Sequence, residues 1–348
     1  MPEPSSQAST AAHPPMSRLA LFKEHVYLSR FGFTLFVILI GAATATPLNL
    51  PGPSTLMVMI LVGWGFHMTY YGFNDAADYE LDKLLGKKDD HPLVRGDISR
   101  RTALTITIAH TIGLFIIEFL SGTNFQLILL LTIACGAVVI YDVFGKRNPF
   151  PPLTDAIEGI GFLALALYGA AKAGTPTVLS YIIAINFALF TNFITGYFLG
   201  IVDLKGDFAS GARTTPIWFG MRPAEGSGLP YIPRTLTILG SVQLFAILFV
   251  NFLPLLRNDF HYPPMIRIIL VMIVAALSVG LCVHVMRFIV SDPRWQKLPE
   301  DLDNDRIAVY SISLVIVSYL PFLSTGWLLL LAICVFAPLA AGKILGRL

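Results

Sequence analysis

Apolar stretches of about 20 residues recur along the chain, with short polar segments between them. An α-helix of that length crosses the roughly 30 Å of hydrocarbon in a bilayer. These stretches are too long for the short alternating strands of an outer-membrane barrel. The predicted spans are residues 31–47, 55–73, 103–121, 125–141, 155–171, 178–200, 235–253, 265–287 and 307–325. The pattern therefore predicts an all-α fold, a polytopic transmembrane helical bundle of about nine spans.

One further apolar run, at 327–342, follows Pro321 and Gly326. It either extends the ninth span as a kinked helix or forms a tenth span. The basic residues Lys343 and Arg347 lie beyond it and favour ten spans, because basic residues collect on the cytosolic side. The sequence leaves both alternatives open.

Composition removes the soluble alternatives. Of 348 residues, 55% are hydrophobic and only 13% are charged, and the mean hydropathy is +0.70. A soluble domain usually carries about 25% charged residues, since its own surface must stay polar. The net charge of +2 gives no reason to expect nucleic acid as a partner.

The N-terminal segment differs from the rest of the chain. Residues 1–18 are rich in Ser, Ala and Pro and lack periodicity, which predicts a disordered tail before one transmembrane domain at 19–348. The tail has no apolar secretory region and is too poor in Arg for a mitochondrial presequence. Those features favour the endoplasmic reticulum or another internal membrane.

The polar loops alternate in charge. Basic residues concentrate in every second loop, whereas the loops between them carry few or none. The basic loops are 75–101, 142–153, 201–233 and 288–306. The positive-inside rule then places these loops and the N-terminus in the cytosol.

Candidate chemistry begins where the second span ends. Asn74, Asp78 and Asp82 are four residues apart, and Asp75 is three before Asp78. If the helix continues through them, all four lie within a sector of roughly 100°. Stacked carboxylates repel one another, and a divalent cation is a simple way to offset that repulsion. Oxygen ligands without His or Cys favour Mg²⁺ over zinc.

A second cluster follows the sixth span. Asp203 and Asp207 are again four residues apart. Four spans separate the clusters, so both lie on one side of the membrane and can face each other across a central cavity. This coarse duplication predicts two pseudo-related halves. Five aspartates around one cavity need compensation, and Mg²⁺ with a diphosphate forms a suitable neutralising set.

These residues resemble the UbiA superfamily of intramembrane prenyltransferases. Asn74, Asp75, Asp78 and Asp82 are similar to its NDxxDxxxD motif, and Asp203 and Asp207 to its DxxxD motif. Further matching elements are Gly206 to Gly211 with Thr215, Pro216 and Gly220, segment 91–96, and Tyr141 with Lys146 and Arg147. One departure is His91, which stands where the family usually has Arg before the Pro.

The resemblance implies reactions that begin by ionising an isoprenyl diphosphate held by Mg²⁺, inside a helical fold with a lateral opening to lipid. The implied partners are isoprenyl diphosphate, a lipophilic acceptor, aromatic or otherwise, and membrane lipid. The Mg²⁺ ligands and catalytic acids would be Asp75, Asp78, Asp82, Asp203 and Asp207. Diphosphate contacts would come from Asn74, Arg95, Lys146, Arg147, Lys205 and Arg213, and Tyr141 would stabilise the allyl cation.

Several of these residues also have structural explanations that do not involve catalysis. The basic residues also serve as ordinary topology-setting loop charges, and aromatic residues at span ends form interfacial belts. At the start of span five, Asp155 or Glu158 could deprotonate an acceptor, although Asp155 also suits a helix start.

Two other functions remain open from the sequence. A terpene cyclase on the same scaffold shares the first half-reaction, so the Asp motifs do not separate it from a transferase. A cation transporter is disfavoured, because the acids lie at helix ends and not at the midplane on broken helices.

Overall fold

The computed structural model describes residues 17–26, 28–84, 91–122, 124–224, 229–257, 260–290, 296 and 304–344. In chain order the α-helices are α1 Arg18–Val26, α2 Leu28–Ala45, α3 Pro53–Leu84, α4 Pro92–Arg95, α5 Arg100–Leu120, α6 Phe125–Phe144, α7 Pro151–Ala173, α8 Val178–Thr191, α9 Gly200–Val202, α10 Leu204–Ser210, α11 Thr215–Trp218, α12 Arg234–Leu256, α13 Pro264–Ile289, α14 Asn304–Val317 and α15 Thr325–Ile344. A π-helical segment, Asn192–Leu199, joins α8 to α9, and a 3₁₀ turn, Leu320–Phe322, precedes α15.

The all-α prediction is confirmed. Across the described ranges the chain forms helices and a single isolated bridge between Arg222 and Tyr231, and seven helices are long and apolar enough to cross a membrane. The predicted tail lies outside the described residues up to residue 16, and Arg18 already begins α1. The relation between the two halves stays a prediction.

The break near Pro321 separates two helices. α14 ends at Val317, and the carbonyl of Ser318 accepts a hydrogen bond from Tyr262 Oη at 2.6 Å. Trp327, at the start of α15, donates through Nε1 to the Thr46 carbonyl at 2.7 Å, just beyond the end of α2. Further along α15, Cys334 Sγ contacts the Gly32 carbonyl at 3.1 Å. α15 is therefore a separate helix that runs antiparallel to α2, and the exact number of spans stays a prediction.

α7 is the central helix, and small residues allow its neighbours to approach closely. A Cβ atom on Gly169 would lie 3.0 Å from Ile38 Cα in α2, and one on Gly161 would lie 3.0 Å from Ala137 Cβ in α6. Without a strong hydrophobic force between helices in lipid, such close backbone contact is a main source of packing energy. This packing places the polar start of α7 between α3, α6 and the π-helical segment.

We expect Gly169→Ala to destabilise the bundle by about 1–3 kcal/mol, because the added methyl would overlap the α2 backbone, which cannot move aside as a side chain can. Gly113→Ala is the matched control, since a Cβ there meets nothing within 4 Å. Thermal unfolding midpoints in detergent should fall for the first variant and stay near wild type for the second. Equal midpoints would contradict the close α2–α7 contact.

A buried ion pair ties α5 to α7 at the side opposite the Asp motifs. Lys172 Nζ lies 2.8 Å from Glu118 Oε1 and 2.6 Å from Ser121 Oγ, and Tyr168 Oη donates to Glu118 Oε2 at 2.6 Å. Glu118 is completely buried. Its carboxylate is thus satisfied by one cation and one hydroxyl.

Lys172→Met should destabilise the protein by about 3–5 kcal/mol, because it leaves the Glu118 carboxylate buried without its cation. The double variant Glu118→Gln with Lys172→Met should recover most of that loss, since the uncompensated charge is gone. Thermal midpoints of the two variants test this. A double variant no more stable than Lys172→Met would show that the pair matters through packing and not through charge.

Candidate active site

The first motif lies on a continuous helix, as the sequence predicted. α3 runs through Asn74, Asp75, Asp78 and Asp82 to Leu84, so its last turns project out of the apolar span. Asp75 and Asp82 are buried at 3% and 7% exposure, although they sit at the polar end of the helix. Two acids of this motif therefore face protein and not bulk water.

His91 is a neighbour of the first motif that the sequence did not place. It caps α4, where its Nδ1 accepts the Leu93 N–H at 3.4 Å. That bond leaves Nε2 as the nitrogen that carries hydrogen, and Nε2 lies 3.2 Å from Asp75 Oδ2. The residue that departs from the family pattern thus contacts the first motif directly.

Arg95, at the end of α4, was predicted to bind diphosphate. Its Nε donates to Asp97 Oδ2 at 3.0 Å, and its side chain is only 13% exposed. Gly96 ends the helix with a positive φ of 84°, a conformation that favours glycine. The Arg95 side chain is thus oriented by Asp97 of the same segment, and its diphosphate contact stays a prediction.

The second motif follows the π-helical segment. Asp203 stands at the junction of α9 and α10, and the Asp207 N–H donates to its carbonyl at 2.9 Å. Asp207 is only 1% exposed. Further along, Thr215 donates its hydroxyl to Asp155 Oδ2 on α7, which fixes the segment after the motif against the central helix.

Lys146 joins the two motifs. It follows α6, and its Nζ lies 2.8 Å from Asp78 Oδ2 and 3.9 Å from Asp207 Oδ1. Burial lowers the pKa of Lys146, but the nearby carboxylates Asp78, Asp207 and Asp203 outweigh burial, so its pKa is raised above the ordinary value. The Lys146 carbonyl also accepts the Arg213 N–H at 2.9 Å. The two motifs therefore flank one cationic group.

Asp142 is a site residue that the sequence analysis missed. It lies in the last turns of α6, is buried, and accepts a hydrogen bond from Asn74 Nδ2 at 3.4 Å. Its signals were its place directly after Tyr141 and its spacing of four residues from Lys146. Asn74 thus contacts another acid of the site, and its predicted diphosphate contact stays untested.

The other predicted residues fall into two groups. Tyr141 lies among acids and interacts electrostatically with Glu158, Asp155, Asp142 and Asp78. The side chains of Arg147, Lys205 and Arg213 are exposed, and no ion pair between them and a motif aspartate is found in the described parts of the chain. Lys146 is thus the predicted basic residue that reaches both motifs.

A second polar layer lies deeper in the bundle. Glu158, two turns into α7, is completely buried, and its Oε1 accepts the Tyr70 hydroxyl at 2.6 Å. Thr195, in the π-helical segment, donates its hydroxyl to the other oxygen, Oε2. Glu158 therefore connects the two helices that carry the Asp motifs.

The donor set suits a hard cation. Within the residues described, no group of three His, Cys, Asp or Glu side chains converges as a preformed metal site. Instead, one carboxylate from each motif, Asp78 and Asp207, flanks the Lys146 ammonium, which shows that the site accommodates positive charge between them. Mg²⁺ typically binds through one or two carboxylates together with substrate phosphates and does not need a complete protein cage. The residues present therefore fit Mg²⁺.

The comparisons with known proteins agree with this geometry. The family model described as the UbiA prenyltransferase family matches residues 34–293, which include both motifs. The chain belongs to the UbiA prenyltransferase family. With its apolar helices and paired Asp motifs, this family member is an intramembrane prenyltransferase.

Named relatives of this UbiA member share between a quarter and a third of their aligned residues with it. Digeranylgeranylglyceryl phosphate synthase from Pyrococcus furiosus is 28% identical over 236 residues, which is 66% of this chain and 76% of the relative. The 4-hydroxybenzoate octaprenyltransferase from Nitrosomonas eutropha is 29% identical over 187 residues, 53% of this chain and 63% of the relative. A solved UbiA homologue from Archaeoglobus fulgidus, bound to GPP and Mg²⁺, has a TM-score of 0.60 at 14% identity and covers 87% of this chain and 99% of its own. The last comparison shows the shared fold.

Proposed function

We propose that this protein transfers an isoprenyl group from its diphosphate to a lipophilic acceptor, with Mg²⁺ bound between the two Asp motifs. The observation that carries the proposal is Lys146, whose ammonium lies between Asp78 and Asp207 and brings the motifs together. The solved homologue from Archaeoglobus fulgidus is bound to GPP and Mg²⁺, which supports an isoprenyl diphosphate and a divalent metal as ligands here. The proposed Mg²⁺ ligands are Asp75, Asp78, Asp82, Asp203 and Asp207.

Bound Mg²⁺ would supply Lewis-acid stabilisation of the charge that develops on the diphosphate as the C–O bond breaks. Lys146 can turn from the carboxylates toward the leaving group, where a charge-assisted hydrogen bond is strongest. Arg95, Arg147, Lys205 and Arg213 lie on the same side as further diphosphate contacts. Tyr141, next to Asp142, presents an aromatic ring where an allyl cation forms.

The interior of the bundle would keep water from the cation, which otherwise reacts with it. Below the motifs, α3 and α7 bury Phe66 and Phe162, whose rings meet edge to face at 5.9 Å. The acceptor is proposed to enter from the lipid. The names of the relatives indicate two acceptor chemistries to try, a glyceryl phosphate lipid and 4-hydroxybenzoate.

We further propose one transmembrane domain over residues 19–348 in an internal membrane such as the endoplasmic reticulum, with the N-terminus and the Asp motifs facing the cytosol. The basic loops at 142–153 and 201–233, on the motif side, support this orientation. Cysteine labelling of Ser99 and Gly52 variants in sealed vesicles would test it, because these positions lie at opposite ends of the bundle.

The activity is tested with purified protein in lipid nanodiscs and radiolabelled geranyl, farnesyl and geranylgeranyl diphosphates. Mg²⁺ is present or removed with EDTA, and the acceptors are 4-hydroxybenzoate, a glyceryl phosphate lipid and total membrane lipid extract. We expect Mg²⁺-dependent diphosphate release coupled to a prenylated product. A cyclic hydrocarbon formed without acceptor would show a cyclase instead. No Mg²⁺-dependent consumption of any donor would refute the proposal.

A further inference from the structure

The buried Glu158 carboxyl differs from Glu118, another completely buried acid among the residues that the structure describes. Glu118 is matched by the Lys172 ammonium, whereas the hydrogen-bond partners of Glu158 in the described residues are two hydroxyls. An ionisable group at this depth in a membrane protein is costly. A group that only joins helices does not need to be ionisable, since neutral amides join other helices of this bundle, as Asn186 Nδ2 does by donating to Asn251 Oδ1 at 2.8 Å.

Glu158 lies directly beneath the reaction site. Tyr70 is four residues before Asn74 on α3, so its side chain lies on the same face one turn deeper than the first motif. Tyr70 also interacts electrostatically with Tyr141 and Asp142, which border the motifs. The Tyr70 hydroxyl therefore stands between the motif residues and the Glu158 carboxyl.

The two ends of this pair differ in burial. The Tyr70 side chain is half-buried, whereas Glu158 is completely buried. The hydrogen-bonded pair therefore runs from a partly exposed residue to a completely buried one. Asp155, the other acid at the start of α7, is less suited to this role because it accepts the Thr215 hydroxyl that fixes the segment after the second motif.

Prenyl transfer requires a proton acceptor, because an O–H or aromatic C–H acceptor must lose its proton when the new bond forms. The motif carboxylates are unsuited to this role, since they surround Lys146 and would bind Mg²⁺. Bulk water is also unsuited, since it would capture the cation. A hydrogen-bonded phenol backed by a carboxylate can accept one proton while it passes on its own.

We propose that Tyr70 is the catalytic proton acceptor of the transfer step and that Glu158 is the positioning residue that receives the Tyr70 proton. As the C–O bond of the isoprenyl diphosphate breaks, its electron pair leaves with the diphosphate. The acceptor's electron pair forms the new bond to the isoprenyl carbon. The acceptor proton moves to Tyr70 Oη, and the Tyr70 proton moves to Glu158 Oε1. This inference rests on the proposed function and assigns it an acceptor that carries a nucleophilic O–H or an activated aromatic C–H.

The test compares two quantities, release of diphosphate from geranylgeranyl diphosphate and formation of prenylated acceptor. Full-length protein in nanodiscs is assayed with Mg²⁺ and with either 4-hydroxybenzoate or a glyceryl phosphate lipid. Glu158→Gln and Tyr70→Phe should each lower transfer about 100-fold while diphosphate release falls much less, and isoprenyl alcohol should accumulate. The double variant should be no worse than either single variant, because both residues act in one step.

Thr69→Val is the matched control. It removes a buried hydroxyl from the same turn of α3, but one that contacts Thr111 on α5 at 2.8 Å and not Glu158. It should keep the wild-type ratio of transfer to release. Thermal midpoints of all variants exclude misfolding, and partial recovery of the ratio in Glu158→Asp would support the carboxyl's role.

Two results would overturn the inference. Parallel loss of release and transfer in Glu158→Gln and Tyr70→Phe, or additive losses in the double variant, would make the pair structural. Wild-type protein that releases diphosphate but prenylates neither acceptor would remove the acceptor proton from the reaction. Wild-type protein that shows no Mg²⁺-dependent release would instead refute the proposed function itself.

Discussion

Replacing Asp78 or Asp207 by asparagine should lower Mg²⁺-dependent diphosphate release roughly 1,000-fold, because Lewis-acid stabilisation by a metal supplies several kcal/mol in the transition state. The two residues belong to different motifs but flank the same Lys146 ammonium. Asparagine keeps the size of the side chain and removes the charge that a divalent cation requires. Raising the Mg²⁺ concentration should restore part of the activity, since the loss includes weaker metal binding.

The matched control is Glu80→Gln. Glu80 lies on α3 between Asp78 and Asp82, but its side chain is exposed. The same chemical change one half-turn from the motif should alter release less than about threefold, as is usual for a surface substitution. An equal fall of diphosphate release in Glu80→Gln and Asp78→Asn would show that the rate depends on the total negative charge at this end of α3. It would contradict a specific role of the motif aspartates.

Lys146→Met should lower the rate of diphosphate release about 100-fold, because the leaving group loses a charged hydrogen-bond donor that is already held in the site. Because the pKa of Lys146 is raised above the ordinary value of 10.5, its ammonium stays charged at every pH below 10.5 and loses its proton only at higher pH. The ratio of wild-type to variant activity should therefore stay constant between about pH 6 and pH 9. Arg101→Gln, an exposed basic residue at the start of α5, is the control.

A second measurement on Lys146→Met separates its two roles. Without Mg²⁺, the variant leaves Asp78 and Asp207 with no ammonium between them, so its thermal midpoint should fall below that of wild type. Mg²⁺ should raise the midpoint of the variant more than that of wild type, because a ligand stabilises the state that binds it. An equal response to Mg²⁺ in both proteins would show that the Lys146 ammonium does not lie where Mg²⁺ binds.

Much of the fold was accessible from the sequence because membrane spans follow from local composition. The continuation of α3 through the first motif was also predictable, since Asn74, Asp78 and Asp82 have helical spacing. The break between α14 and α15 was not decided by the sequence, although Pro321 and Gly326 marked it. Whether a chain bends or turns back depends on partners distant in sequence, here Thr46 for Trp327 and Gly32 for Cys334.

The site was predictable in its residue types but not in its pairings. Lys146 was one of six candidate diphosphate ligands, and only the fold shows that it contacts Asp78, 68 residues away. Asp142 was overlooked because a single acid at the end of a span resembles an ordinary interfacial residue. The contact of His91 with Asp75 depends on the short α4 helix, whose four residues carry no periodic signal.

The π-helical segment between α8 and α9 changes the direction in which the side chains after it point around the helix axis. In a π-turn the hydrogen bond spans five residues and not four, so each residue advances the rotation less than in an α-helix. A helical wheel drawn from Val178 with α-periodicity therefore places Asp203 and Asp207 at the wrong azimuth. The segment Asn192–Leu199 therefore rotates the following residues about the helix axis relative to their positions in a continuous α-helix. The residues before this segment pack against neighbouring helices, and the Asp207 carboxylate after it lies 3.9 Å from Lys146 Nζ.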